Sequence, residues 1–452
     1  MNEPVAFWFR RDLRLDDNAG LYHALRSGYT VLPVFIFDAT ILDPLPRADR
    51  RVSFLYDQII RLHTELQALG SGLYVAYGTP EAVWADLLSR LPLRAIYTNR
   101  DYEPQAKARD TRVAALARQH GADFRTFKDH VLFEHAEVQT QSNGTYTVFT
   151  PYKKRWLERL TAFHVKAYPT LKYASALVHW PVPALGSPEI PGLGQLGFVR
   201  TAYDAVPPPV VPDTLLREYA DRRNRPDIPG TSRMGCHLRF GTVSIRALAR
   251  QAQGLSEVYL SELIWRDFYS QILDAFPQVA TRALKPAYDG IAWRDSTADY
   301  DRWRTGTTGY PLVDAGIREL NATGFMHNRV RMVTASFLTK HLLLPWQWGE
   351  RHFAEQLLDF DLASNNGGWQ WASGSGCDAA PYFRIFNPTE QAKTWDPDGH
   401  YVRTWVPEVG THRYPSPMVE HTFARKRALD TYKRGLETAQ QEPPPPPAAS
   451  LF

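Results

Sequence analysis

Short apolar runs alternate with longer amphipathic stretches through the first 130 residues, and that alternation restricts the fold more than any other feature of the sequence. The runs at 5–9, 31–37, 73–76, 95–98 and 124–127 have the length and side chains of strands. Between them, 18–26, 50–69, 80–91 and 104–120 carry helical spacing, the last two opening on a proline at a favourable first position. Strand and helix taking turns predicts a doubly wound parallel sheet, an α/β domain over 1–130. Such sheets bind ligands beyond the carboxyl ends of their strands, which directs attention to 10–17, 37–42 and 99–103. None of these loops carries a GxGxxG, so a nicotinamide enzyme is a poor expectation.

The pattern then changes twice. From 131 to 212 the prolines at 181, 183, 188, 191 and 207–209 break up helical spacing, and this stretch is expected to be an interdomain connector. From 213 to 435 the periodicity is helical, at 215–223, 244–253, 256–276, 311–323, 329–344 and 349–359, so a larger all-α domain is expected there. The segment 436–452 contains five consecutive prolines and is expected to be a disordered tail.

With 52 Lys plus Arg against 48 Asp plus Glu in 452 residues, the net charge of +4 does not by itself argue for nucleic acid. Two cysteines, Cys236 and Cys377, cannot build a disulfide framework, and no ligand spacing points to a metal. No apolar run is long enough to span a bilayer, and the start lacks a secretory segment. The expected location is the cytoplasm, with the mature chain beginning near Met1.

Nine of the 13 tryptophans lie from Trp265 onward, in the helical part. Most large aromatics there simply fill a core. Three places ask for more. On the helix predicted at 256–276, which should be largely buried, Glu262, Trp265 and Arg266 share one face, offering a carboxylate, an aromatic plane and a guanidinium; a helix ion pair between Glu262 and Arg266 accounts for the spacing equally well. Asn328 and Met332 stand one turn apart, with Arg329 and Arg331 between them. From Asp359 to Trp371, two acids, two asparagines, paired glycines and two tryptophans make poor material for a plain core helix. A turn at Asn365–Gly368 would explain the Asn and Gly, and a ligand explains the two acids ahead of them as well.

These residues resemble the photolyase and cryptochrome family. Phe7-Trp8-Phe9-Arg10-Arg11-Asp12-Leu13-Arg14, Gly309-Tyr310-Pro311, Met326-His327-Asn328-Arg329, Asn365-Asn366-Gly367-Gly368-Trp369-Gln370-Trp371 and Phe383-Arg384-Ile385-Phe386-Asn387-Pro388 look like its signatures in its order, covering the chain to about Tyr432. The resemblance is closest to the class I enzymes that repair cyclobutane pyrimidine dimers. It implies an antenna domain, a helical domain holding FAD, and blue-light repair of DNA by electron transfer from reduced, anionic FAD to a flipped-out dimer.

Carried over residue by residue, the resemblance assigns Thr231, Ser232, Arg233, Met234 and Gly235 to the FAD diphosphate and Tyr219 to a further FAD contact. At Cys236 the chain departs from relatives that carry a phosphate-binding Ser. Asp359, Phe360 and Asp361 fall beside the flavin ring and ribityl chain, Asp359 paired with Arg331, and Asn365 faces flavin N5. Glu262, Trp265, Asn328, Met332 and Trp371 fall in the dimer pocket, and Arg223, Arg266 and Arg329 on the DNA phosphates. Trp369, Trp346 and Trp293 match a relay that re-reduces oxidised FAD from the surface inward, with Trp303, Trp348, Trp395 and Trp405 left to packing.

For a second chromophore, Glu103 matches a folate contact while Val279-Ala280 depart from one, and Phe37-Asp38 and Arg51 look more like a deazaflavin or FMN pocket, an empty pocket being the remaining alternative. The implied partner is dimer-containing DNA, for a monomer without an obligate protein partner. A cryptochrome photoreceptor and a (6-4) photoproduct photolyase are the alternatives; the latter would be expected to present two active-site histidines, where this chain has His327 and then Met332.

Overall fold

The computed structural model describes residues 3–186, 189–379 and 381–441. Pro188 and the proline run of the tail lie outside them. The contacts between backbone positions group the chain into two compact units that interleave along it. The first comprises Met1–Val138, Trp156–Asp213 and Arg233–Asp267, and the second Gln139–Arg155, Thr214–Ser232 and Phe268–Phe452. The expected segments 1–130, 131–212 and 213–435 run consecutively, whereas the chain changes unit five times.

The first unit is built on five parallel strands, β1 (Val5–Phe9), β2 (Val31–Asp38), β3 (Tyr74–Gly78), β4 (Ala95–Asn99) and β5 (Asp123–Phe127), in the order β3-β2-β1-β4-β5. The register pairs Val5 with both Val31 and Ala95. β1, β2 and β4 are buried along their whole length, as unbroken apolar runs on a sheet covered on both faces must be, while β3 and β5 are the partly open edges. Helices Ala19–Leu25, Arg50–Ala68, Pro80–Arg90 and Pro104–Gln119 alternate with the strands, close to the expected positions. The stretch 37–42 is the end of β2 and a one-turn helix, Ala39–Leu42, with the Asp38 side chain accepting from Thr40 N.

The strand order reverses between β1 and β4, and a polar knot occupies that point. Asn99 Nδ2 donates to Asp12 Oδ2 at 2.6 Å and to Asn18 Oδ1 at 2.8 Å, and Gly20 N donates to Asn99 Oδ1 at 2.8 Å. A Cβ on Gly20 would lie 2.8 Å from both Asn99 and Phe7, so only glycine lets the first helix sit this close to the sheet. Behind the knot, Asp129 is gripped by Arg14 (2.7 and 2.8 Å) and Arg246 (2.7 Å), all three buried.

The second unit is helical, and its core gathers Trp303, Trp346, Trp369, Leu338 and Phe353. Four sequence expectations are corrected here. A helix, Phe149–Arg159, stands within the stretch 131–212 expected to be a connector; Pro151 falls in its first turn, where a missing N–H costs nothing. The helix expected over 329–344 ends at Ser336, widens into a π-helical turn at Phe337–His341, and stops where Leu343 takes a positive φ of 54°. Asn365–Gly368 is no turn but the interior of the helix Leu362–Ser373, capped by Asp361. At the other end, His421–Gln441 stays helical through 436–441, since no breaker precedes the prolines.

Candidate functional site

The helix Leu362–Ser373 organises the expected cofactor residues in the second unit. Asp361 starts it by accepting from Ser364 N at 3.1 Å. Two residues earlier, Asp359 takes two bonds from Arg331 Nη2 (3.1 and 2.9 Å), while Arg331 Nε donates to the Met326 carbonyl at 2.8 Å, which fixes the guanidinium plane. Asn365, almost buried, donates from Nδ2 to the Glu350 carbonyl at 3.1 Å, so its amide has a defined orientation. Asn366 donates to Val279 O at 2.9 Å and to Glu350 Oε1 at 3.2 Å. Burial pushes the Glu350 carboxyl up to about 7 against the opposing pull of Asn366 and Arg351. Glu350 was not among the sequence candidates, because nothing beside it distinguishes it from a surface acid.

The two glycines of that helix differ in cause. A Cβ on Gly367 would meet the Tyr269 ring at 2.1 Å, so glycine there is demanded by packing. A Cβ on Gly368 would meet nothing within 4 Å. Bare backbone at 368 is therefore not something the protein's own packing requires. Beside a fixed neutral amide and an oriented Arg–Asp pair, it fits a flat ring with polar edges. Thr231 and Ser232 lie in the second unit, while Arg233, Met234 and Gly235 lie in the first, Arg233 with a left-handed backbone at φ 52°.

Trp369 and Trp346 are both 2% exposed, and Trp293 is partly exposed. The Trp369 ring stands 5.0 Å from Phe353 and 6.0 Å from Trp303, and Trp293 meets Tyr432 edge-on at 5.7 Å. Asn328 starts the helix Asn328–Ser336 on its exposed side. Within the same unit Arg329 reaches Asn224 Oδ1 at 2.7 Å and Met332 Sδ at 3.8 Å, Arg223 lies over the Tyr219 ring, and Trp371 faces Phe386 at 6.5 Å.

Glu262, Trp265 and Arg266 belong to the first unit, on the helix Glu257–Ala275, each partly exposed. The Arg266 guanidinium donates to the backbone carbonyls of His130 and Leu238, so part of its hydrogen-bonding capacity is used within its own unit. One residue on, Asp267 accepts from Leu132 N, Phe133 N and Trp156 Nε1 at 3.0–3.2 Å. Burial raises its carboxyl to about 6, even against those bonds. This buried acid, absent from the sequence candidates, ties the helix to residues 132–133. Of the second-chromophore candidates, Glu103 is held by Arg11 (2.8 Å) and Arg239 (2.7 Å), and Arg51 by Asp49 (2.9 and 3.1 Å).

Residues 5–172 match the family DNA photolyase, and residues 259–412 match the FAD binding domain of DNA photolyase. The chain is 36% identical to the deoxyribodipyrimidine photo-lyase of Agrobacterium fabrum over 95% of its own length and 97% of the relative's. The chain belongs to the photolyase and cryptochrome family. Among solved structures it is similar to a class III photolyase from Agrobacterium tumefaciens, with a TM-score of 0.85 at 33% identity over 97% of this chain and 98% of that one. It is also similar to the cryptochrome of Synechocystis, with a TM-score of 0.78 at 26% identity over 95% and 99% of the two chains. The sheet and helical architecture is thus the photolyase fold, and the helix with Asn365 and Trp369 falls inside the matched FAD-binding domain. No helix among the described residues is long and apolar enough to cross a membrane.

Proposed function

We propose that this photolyase-family chain is a deoxyribodipyrimidine photo-lyase that repairs cyclobutane pyrimidine dimers in DNA under blue light. The observation that carries the reading is the oriented amide of Asn365, next to an acid raised toward neutrality, in a chain whose near-full-length relatives bear that enzyme's name. Reduced FAD, when bound, supplies the electron that splits the dimer. A neutral amide at Asn365, in place of a carboxylate, favours a flavin that is itself anionic when reduced.

The chain's own residues divide the remaining work. Thr231, Ser232, Arg233, Met234 and Gly235 hold the diphosphate, with Tyr219 beside it. Arg331 fixes Asp359, which with Phe360 and Asp361 positions the ring and its ribityl chain. In the second unit Trp371, Asn328 and Met332 are assigned to the extruded bases; in the first, Trp265 is assigned to base stacking and Glu262 to a base carbonyl. Extrusion is least costly for a lesion already poorly stacked. Arg223 and Arg329 take the DNA phosphates, with Arg266 contributing whatever its carbonyl bonds leave free. Trp369, Trp346 and Trp293 return electrons to oxidised FAD. The antenna chromophore, deazaflavin, FMN or folate, is left undecided, since Glu103 is held by Arg11 and Arg239 and Arg51 by Asp49 alike.

The test is repair of a dimer-containing oligonucleotide by the purified FAD-loaded protein, lit and dark, with a (6-4) photoproduct run in parallel. Dimer repair only in blue light is expected. Normal FAD uptake with no repair would favour a cryptochrome photoreceptor, the reading to which the Synechocystis likeness points. Repair of the (6-4) lesion alone would favour that enzyme.

A further inference from the structure

Among the described residues Trp369 is packed edge-on against two rings, Phe353 at 5.0 Å and Trp303 at 6.0 Å between centres. They are not equivalent. A phenyl ring gives up an electron far less readily than an indole, so only Trp303 can pass on a hole left on Trp369. Trp303 is fully buried on the helix Thr297–Thr305. Tyr300, on the same helix, stacks on it at 5.9 Å with 22° between the planes, and meets Trp348 edge-on at 5.3 Å. Tyr300 Oη donates to the Trp348 backbone carbonyl at 3.1 Å, which ties the two residues together. Rings in contact therefore run from buried Trp369 through Trp303 and Tyr300 to Trp348, which is partly exposed, and all of them belong to the second unit.

Trp348 stands on the helix Trp346–Gln356, two residues after Trp346. Two residues turn a helix by about 200°, so the two indoles leave it on opposite sides. Edge-on and stacked pairs are also how rings fill any core. The indole N–H groups supply a second observation. Trp303 Nε1 donates to the Thr334 carbonyl at 3.1 Å, and Trp369 Nε1 is buried with no acceptor. A backbone carbonyl does not take up a proton, so an oxidised indole at either place keeps its proton and its hole stays mobile. The Tyr300 phenol is bound to a carbonyl too, and so bridges its neighbours without trapping the hole. At the partly exposed Trp348, water can accept the proton and the hole comes to rest.

We infer that Trp303, Tyr300 and Trp348 form a second outlet for the hole on Trp369, beside Trp346 and Trp293. The inference rests on the reading in which Trp369 re-reduces oxidised FAD, and gives a role to two tryptophans otherwise assigned to packing. Trp369 gives one electron to light-excited, oxidised FAD. Trp303 refills Trp369, and Trp348 refills Trp303 across Tyr300. Trp348 then loses its indole proton to water, and a thiol in solution returns one electron and one proton to it, the resulting thiyl radicals pairing as a disulfide.

The FAD-loaded protein and its variants are illuminated with blue light in the presence of a thiol, and the loss of oxidised-FAD absorbance measures photoreduction. Samples illuminated without thiol and frozen are examined by electron paramagnetic resonance, with ring-deuterated tryptophan marking the source of the radical. FAD uptake confirms that each variant is folded. Trp293→Phe alone is expected to keep part of the photoreduction and to give a tryptophan radical. Trp293→Phe combined with Trp348→Phe is expected to lose both, as is Trp293→Phe combined with Trp303→Phe; the partly exposed Trp348 keeps the test decisive should the buried Trp303 variant fail to fold.

Loss of all photoreduction in Trp293→Phe alone would overturn the second outlet, and so would undiminished photoreduction in the Trp293→Phe, Trp348→Phe double variant. A tyrosine radical in Trp293→Phe would overturn Trp348 as the terminus. Photoreduction that persists in Trp369→Phe would overturn the relay reading itself; its loss there, with no effect of Trp303→Phe or Trp348→Phe in the Trp293→Phe background, would overturn this inference alone.

Discussion

Lys340 is 1% exposed, inside the buried stretch Phe337-Leu338-Thr339-Lys340-His341-Leu342-Leu343-Leu344. Its Nζ donates to the Ser373 carbonyl at 2.8 Å and stands 3.7 Å from the centre of the Tyr432 ring. Tyr432 Oη donates to the same carbonyl at 2.9 Å. Burial lowers the amine from 10.5 to about 7. The folded chain therefore prefers the neutral amine, while the unfolded chain stays protonated until about pH 10.5. Between those values the unfolded state binds more protons, so stability rises with pH across the window. The penalty from this one residue is about 4 kcal/mol near pH 7 and about 2 kcal/mol near pH 9. Lys340→Met keeps the length of the side chain, leaves Tyr432 to satisfy the carbonyl, and removes the titration. The expected result in urea unfolding is a wild type that gains roughly 2 kcal/mol relative to the variant between pH 7 and 9, and a variant that is the more stable of the two at pH 7. Taking the difference between the proteins cancels every other group titrating in that range. If the carbonyl and the Tyr432 face suffice to keep the ammonium charged, the two pH profiles will run parallel, and the reasoning from burial is then refuted.

Gly349 lies where a Cβ would be 2.0 Å from the Trp369 ring and 2.6 Å from Leu338. Gly349→Ala should cost about 1–3 kcal/mol by overpacking despite its better helix propensity, and should slow FAD photoreduction by displacing Trp369; an unchanged urea midpoint and rate would refute this. Asp129→Asn leaves Arg14 and Arg246 without the carboxylate they share, an expected loss of about 3–5 kcal/mol in unfolding experiments. Burial alone would raise the Asp129 carboxyl, but the two arginines outweigh it and hold it well below the usual range. Its stabilising contribution is therefore present above the ordinary aspartate value and fades as the pH falls through acid, so the variant's deficit should shrink there. Trp369→Phe should block photoreduction and leave repair by already reduced protein intact, whereas Trp265→Ala should chiefly weaken lesion binding; equal damage to both activities by both variants would reject the assigned roles.

What could be read from the sequence, and what could not, divides along one physical line. β1, β2 and β4 were legible because a strand buried on both faces reads as a mainly apolar run, with polar residues such as Asp38 and Asn99 left to its carboxyl end. The acids at 359 and 361 and the amide at 365 stood out because no plain core helix spends its positions that way. Misreadings arose where local preference was outvoted or where one residue serves two purposes. The stretch 131–212 read as a connector yet holds the helix Phe149–Arg159, and the turn that was one account of the Asn-Asn-Gly-Gly run is absent, Gly367 answering instead to Tyr269 on another helix. Glu350 and Asp267 were invisible as candidates for a different reason. Their carboxyls are raised by burial, which only the fold brings about, and the groups set against that rise, Asn366 and the amides of 132–133, also come from elsewhere in the chain. Lys340 lies between these cases. A cation between Phe337-Leu338 and Leu342-Leu343-Leu344 points toward burial, but only the three-dimensional arrangement shows that its partners are a carbonyl and a ring. Pattern thus reports the cost a residue bears, while its compensation has to be sought in space, and the residues whose cost and compensation are furthest apart are those where a substitution will be most informative.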